Sequence, residues 1–128
     1  MFLAFREEGA RDWHSNLGIA LSHRGAQHRL QFHHLFPKAV LRGAYSSREA
    51  DDIANLAFIA GRTNRQIGDQ PPSHYFPPLL ARSGADAFAA QCIPTEANLL
   101  GIGAYKEFLA ERRVRICAML NRFLGVGP

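Results

Sequence analysis

Cysteine is scarce in this chain, and a long apolar run is absent. The 128 residues hold two cysteines, Cys92 and Cys117, each in an apolar context and neither in a close metal-binding pair. That spacing argues against a structural zinc site, and both read as buried thiols of a reducing compartment. No stretch approaches the roughly 20 apolar residues that span a bilayer. The opening Met1-Phe2-Leu3-Ala4-Phe5-Arg6-Glu7-Glu8 is too short and too soon charged for a signal peptide. A cytoplasmic location is the expectation. A glycine-rich phosphate loop is also missing, so no nucleotide hydrolysis is expected. Internal repeats and low-complexity tracts are absent too.

What is present suits a folded protein. Hydrophobic residues make up 47% and charged residues 20%, which excludes a disordered chain. The length fits one domain able to bury a core. Net charge is +4 with an isoelectric point near 9.6, which favours an anionic partner. Acids are thin where bases gather. Between Arg24 and Arg65 stand seven basic residues (Arg24, Arg29, Lys38, Arg42, Arg48, Arg62, Arg65) against Glu49, Asp51 and Asp52. That excess is either a phosphate-binding face or a solvated surface.

The pattern along the chain is mostly helical. Met1 to Arg11 is amphipathic and predicts a short helix. Leu17 to Leu21 is a short apolar run, and 22–27 reads as a turn around Gly25. Leu30 to Leu35 predicts a strand that ends at Pro37. Pro37 to Leu41 suits a short helix. Residues 43–52 are polar and read as loop. Ile53 to Ala60 predicts a second strand, broken by Gly61. Thr63 with Gln66 forms a capping-box pattern that puts Asn64 in the first turn of a helix. Pro71-Pro72 and Pro77-Pro78 punctuate the following segment. Ser83 with Asp86 predicts a helix start running through Ala90. The clearest helix is the last. Tyr105, Phe108, Leu109, Ile116, Met119, Leu120, Phe123 and Leu124 share one face, with Lys106, Arg113, Arg115 and Arg122 away from it and Gly125 as the stop. Trp13 reads as a core anchor, and His14, His23, His28 and His74 as surface or hydrogen-bonded side chains.

The chemistry concentrates at His33-His34, in Leu30-Gln31-Phe32-His33-His34-Leu35-Phe36-Pro37. Asn55 follows His34 by 21 residues, and Asn64 follows Asn55 by 9. Adjacent strand residues point to opposite faces, so two neighbouring imidazoles serve one site only at a bend or a strand end. There they can divide two tasks. A phosphodiester repels nucleophiles, so its hydrolysis needs a base for water and a cation for the charge that develops. An unperturbed imidazole titrates near 6.5 and suits the base. A second imidazole and an amide oxygen can hold a divalent ion with positions left open. The layout suits a one-metal phosphodiesterase.

Phe32-His33-His34-Leu35-Phe36-Pro37-Lys38, Asp52-Ile53-Ala54-Asn55-Leu56-Ala57-Phe58-Ile59 and Thr63-Asn64-Arg65-Gln66-Ile67 together resemble an HNH endonuclease of the ββα-metal superfamily. Within that superfamily the chain resembles the C-terminal nuclease region of GmrSD-type, modification-dependent restriction proteins. The similarity extends from about Arg11-Asp12-Trp13 through Gln91-Cys92-Ile93-Pro94 to Tyr105-Lys106-Glu107-Phe108-Leu109. It implies an α+β, mostly helical fold. A ββα-metal core, a short two-stranded hairpin plus helix, would occupy about 28–70. Additional helices, with a long C-terminal one, would cover about 1–27 and 71–128, and 1–128 would form a single nuclease domain.

The resemblance also implies roles. His34 matches the general base, and His33 and Asn64 match the ligands of one divalent ion. Asn55 matches the middle asparagine that ties the loop and orients the base. Arg65 is expected to contact a phosphate by its charge and position, with Arg62 and Lys38 on the same nucleic-acid face. His33 stands where many relatives carry aspartate, so the site has less negative charge. Mg²⁺ or Mn²⁺ is the expected ion, with Ni²⁺ or Zn²⁺ tolerated. The expected partner is DNA in duplex form, with no membrane. GmrSD-type proteins usually place a large nucleotide-linked domain before this region, so an N-terminal or separate recognition domain is a further expected partner. Two other readings stay open: a catalytically silent DNA-binding fragment and a standalone toxin-like nuclease.

Overall fold

The computed structural model describes residues 1–25 and 27–125. Ala26 in the expected turn, and 126–128 at the end of the expected helical scaffold, lie outside the described residues. The chain is α+β. Its strands are β1 (Leu30–His34) and β2 (Leu56–Ala60), paired antiparallel with Leu30 opposite Ala60 and His34 opposite Leu56. The helices are α1 (Phe2–Glu7), α2 (Lys38–Leu41), α3 (Ser47–Ala50), α4 (Gly61–Ile67), α5 (Pro72–Ser83), α6 (Ala85–Ala89) and α7 (Tyr105–Phe123). A 3₁₀ turn, Ile53–Asn55, leads into β2. The expected strand over 53–60 is therefore a turn and then a shorter strand. The two strands are joined not by a tight hairpin but by a segment holding α2 and α3.

Strand alternation sorts the sheet into two faces. His33, Ala57 and Ile59 are buried in the main core with Trp13, Phe76 and Phe88, while Phe32, His34, Leu56 and Phe58 stay partly or well exposed. A second cluster gathers Phe5, Ile19, Ile116 and Met119 beneath α1. Trp13 is fully buried and stacks on Phe88 with centroids 4.7 Å apart. Burying an aromatic or large aliphatic side chain is worth about 1.5–3 kcal/mol. These clusters are what hold the thin sheet in place.

Several local expectations are corrected. Residues 43–52 are not simply loop, because Ser46 and Glu49 complete a capping box that starts α3. Thr63 does not cap α4. The helix begins at Gly61, and the Thr63 hydroxyl donates to Asp12 at 2.7 Å. Pro77 and Pro78 lie inside α5 rather than breaking it. The carbonyls they leave unpaired by lacking N–H groups belong to the exposed Ser73 and His74. Ser83 ends α5 and does not start a helix, and α6 begins after Gly84. Cys92 is buried, but Cys117 is exposed, since it falls on the outer side of α7.

Helix α7 buries Tyr105, Phe108, Leu109, Ile116 and Met119 as expected. Phe123 and Leu124 are exposed, because the core ends at Met119. Arg112 occupies the middle of the buried stripe. On the outer side, Arg113 pairs with Asp52, Arg115 with Glu96 and Glu111, Lys106 with Glu49, and Arg122 with Glu8. Those charges are engaged within the fold, which makes α7 a scaffold. Gly125 closes it at φ +69, a conformation that other residues adopt only at a cost. Among the described residues no helix is long and apolar enough to cross a membrane.

Candidate active site

Strand β1 ends at His34, where Leu35 and Phe36 turn into the core and Pro37 starts α2. Asn55 makes that turn rigid. Its Oδ1 accepts from the Phe36 N–H at 2.8 Å, and its Nδ2 donates to the carbonyls of Phe36 and Ala50 at 3.0 and 2.9 Å. The Asn55 carbonyl accepts from the Leu35 N–H at 2.7 Å. Arg112 grips the same turn from behind. Its guanidinium donates to the carbonyls of Ala54 at 2.9 Å, Leu56 at 2.5 Å and Gln91 at 3.1 Å. Full burial lowers the Arg112 pKa to about 10, still charged at neutral pH. The Gln91 side chain brackets Phe58, accepting from its N–H at 2.8 Å and donating to its carbonyl at 2.7 Å, as a third strand would.

Asp12 fixes the other wall. It is buried, and its carboxylate accepts from the Ala60 N–H, the Thr63 hydroxyl and the N–H groups of Ser15 and His14, all within 3.0 Å. Burial would raise its pKa, but those donors outweigh it and hold the carboxyl below its ordinary value. Helix α4 is thereby locked onto the end of β2, with Asn64 facing β1. Gly68 ends α4 at φ +58, ψ −134, a region essentially reserved for glycine, and lets the chain leave beside the site.

His33 and Asn64 meet. Asn64 Oδ1 lies 2.8 Å from His33 Nδ1, and Asn64 Nδ2 donates to Gln31 Oε1 at 2.9 Å. His33 Nε2 lies 2.9 Å from the Tyr75 hydroxyl, which donates to the Leu35 carbonyl at 2.6 Å. Burial pushes the Tyr75 phenol well above its ordinary value, so it keeps that proton. The Tyr75 oxygen must then accept from His33 Nε2–H. Burial also pushes His33 down to about 4, against the opposing pull of Asn64 and with a small contribution from His34. A neutral ring protonated at Nε2 carries a lone pair on Nδ1. That lone pair faces the Asn64 oxygen.

Two acceptors facing each other repel, and two arrangements relieve this. The Asn64 and Gln31 amides can both turn over, so that an N–H faces Nδ1. Alternatively, a cation can take both lone pairs. Two ligands about 2.1 Å from one octahedral ion and at right angles stand about 3 Å apart, close to the observed separation. The donor set therefore fits a divalent ion. It is a sparse set, one imidazole and one amide. Among the described residues no group of three or more histidine, cysteine, aspartate or glutamate side chains is placed to hold a metal.

His34 points its ring elsewhere along the same strand end. Its Nε2 lies 2.9 Å from Asp51 Oδ1, and Lys38 Nζ reaches both Asp51 oxygens at 2.9 and 3.1 Å. Hydrogen bonds from His34 and Lys38 hold the Asp51 carboxyl below its ordinary value. The carboxylate therefore accepts a hydrogen bond from His34 Nε2–H, which leaves Nδ1 to carry the ring's lone pair. Among the described residues Nδ1 has no hydrogen-bond partner.

Both imidazoles line one open cleft of about 320 Å³, together with Asn64, Phe32, Lys38 and Arg42. The expected residues His33, His34, Asn64 and Lys38 thus share a site. Asn55 lies fully buried behind it. Arg62 and Arg65 are exposed on α4, outside the cleft lining. Asp51, Tyr75 and Gln31 complete the arrangement and were not singled out from sequence. Nothing in the sequence set Asp51, 17 positions beyond His34, apart from Glu49 and Asp52, and Tyr75 is more remote still. Comparisons with protein-family models, with curated proteins and with solved structures found no match.

Proposed function

We propose that the chain is a metal-dependent endonuclease of the HNH, ββα-metal kind, hydrolysing phosphodiester bonds of DNA in a defence or restriction role. The observation that carries this reading is the approach of His33 Nδ1 to Asn64 Oδ1, 2.8 Å apart in a cleft shared with a second, carboxylate-held imidazole. A divalent ion held there, Mg²⁺ or Mn²⁺ first and Ni²⁺ or Zn²⁺ after them, would supply charge neutralisation at the phosphorane and the leaving oxygen.

The protein's own part follows from proton positions. Asp51 keeps His34 in the Nε2–H form, so Nδ1 takes a proton from water. The water oxygen bonds to phosphorus as the bond from phosphorus to the 3′ oxygen breaks, and the departing 3′ oxygen takes a proton from solvent, leaving a 5′ phosphate and a 3′ hydroxyl. Asn55 keeps the histidine-bearing turn from drifting. Lys38 and Arg42 offset phosphate charge at the cleft, while Arg62 and Arg65 are assigned to flanking phosphates.

The test is plasmid nicking by the full chain with Mg²⁺, Mn²⁺, Ni²⁺ or Zn²⁺. His34→Ala is expected to lower the rate by roughly 10²–10⁴-fold with the fold intact. Wild-type cutting by that variant would remove His34 from the mechanism. No cleavage by the parent with any of the four ions, alongside salt-dependent DNA binding, would favour the silent binding fragment.

A further inference from the structure

The open face of the sheet carries an aromatic ring that hydrolysis does not use. Phe32 is 63% exposed and shares its strand face with Leu30 and His34. One exposed aromatic is ordinary on a protein surface. This one is buttressed. Its ring lies 5.0 Å from Phe58, which is packed edge-on by Phe2 at 5.4 Å and Phe5 at 6.1 Å. The ring is held on one side and open on the other.

Its neighbours are cationic at both ends of the strand. Toward His34 lies the cleft with Lys38 and Arg42, whose lining includes one carboxylate, Asp69. Toward the start of β1 lies a second open hollow of about 400 Å³, lined by Leu21, His23, Arg24, Arg29 and Leu30. Among the described residues Arg24, Arg29 and Arg42 enter no ion pair. Phe32 and His34 stand two residues apart, about 6.7 Å along the strand. That is the reach of one nucleotide from its base to a neighbouring phosphate.

We propose that Phe32 is a stacking platform for an unpaired nucleobase, and that β1 is the track of a single strand running from the Arg24–Arg29 hollow to His34. An intact duplex keeps its base faces inside the stack and offers nothing to a ring in this position. A single or locally melted strand offers a base face at every nucleotide. The inference deepens the nuclease reading and rests on it only for what happens to the phosphate beside His34. The substrate class becomes unpaired nucleic acid, in place of the intact duplex expected from sequence.

The experiment measures binding of the full chain, in chelator, to a labelled oligothymidine of about 20 nucleotides and to a duplex of the same length. The parent is expected to bind the single strand about tenfold or more tightly than the duplex. Phe32→Leu keeps an apolar side chain but loses the aromatic face. It is expected to weaken single-strand binding roughly 5- to 150-fold and leave duplex binding unchanged. Phe32→Trp is expected to retain binding within about threefold. Equal binding of both nucleic acids by the parent, or parental binding by Phe32→Leu, would overturn the inference. The two readings fail separately. Phe32-dependent binding without cleavage by any divalent ion supports the platform and sinks the nuclease. Cleavage of single and double strands by Phe32→Leu at parental rates and KM does the reverse.

Discussion

Tyr75 has one hydroxyl proton, and it is donated in a hydrogen bond to the Leu35 carbonyl. From that single allocation follow the tautomer of His33 and the lone pair it turns toward Asn64. The same burial has a cost that pH reveals. Folded His33 binds a proton only near pH 4, whereas in the unfolded chain it does so near 6.5. Between those values the unfolded state binds more protons. Stability is therefore complete above about pH 6.5 and falls as pH drops toward 4, by about 3 kcal/mol in total. In His33→Gln, urea unfolding at pH 4.5 and pH 7 should show an acid loss smaller by about 2 kcal/mol, the part of that total that falls above pH 4.5. Equal losses in both proteins would mean that His33 is not buried as a neutral ring. Asp51 holds His34 by a hydrogen bond and is itself exposed, so under the proposed hydrolysis it acts only through that ring. Asp51→Asn is expected to lower turnover by about tenfold or more while leaving the melting temperature within a degree or so. Unchanged turnover would show that His34 needs no carboxylate. His33, His34 and Asn64 were legible because their spacing along the chain carries a pattern. Asp51 and Tyr75 were not. They reach the two imidazoles from 17 and 42 positions away, and only tertiary packing brings them there.

The turn between β1 and α2 is held by side chains acting as surrogate backbone. Asn55 satisfies three main-chain groups with one amide, and Arg112 satisfies carbonyls on either side of it. Replacing Asn55 by Ala leaves those buried groups without partners, at roughly 1–3 kcal/mol each before relaxation. Asn55→Ala is expected to lose about 3 kcal/mol in denaturant unfolding and to lose activity through displacement of His33 and His34. A variant as stable as the parent would show that the turn is held by packing alone. Strand positions, the α4 assignment of Asn64 and the last helix were readable from alternation, from Gly61 and from helical periodicity. Pro37 marked the start of α2, but the starts of α3, α4 and α6 were not readable. Asp12 takes Thr63 from its expected capping role across 51 positions. Arg112 sits where a periodic reading looks for an apolar residue, and a buried guanidinium meets no carboxylate that charge patterning could have flagged. Its partners are carbonyls, which every residue has.

The charge of the molecule is organised by the fold rather than spread over it. Apart from Arg112, the bases of α7 are spent on Glu8, Glu49, Asp52, Glu96 and Glu111, while among the described residues Arg24, Arg29 and Arg42 stand along β1 without such partners. A net +4 thus becomes a directional field beside the two imidazoles. The sequence count located that excess in 24–65 but could not separate engaged from available charge, because pairing is a property of the assembled surface. The α+β class and the long last helix were readable, and the cleft was not, since it forms where a strand end, α2 and α4 converge. Hydrolysis at this cleft requires that His33 and Asn64 hold a cation between them. A crystal structure of the full chain soaked in Mn²⁺, recorded at a wavelength where manganese scatters anomalously, addresses this directly. The expected result is one anomalous peak about 2.1 Å from both His33 Nδ1 and Asn64 Oδ1, with coordination positions open to the cleft. An empty site with the Asn64 amide turned so that Nδ2–H donates to His33 Nδ1 would contradict it.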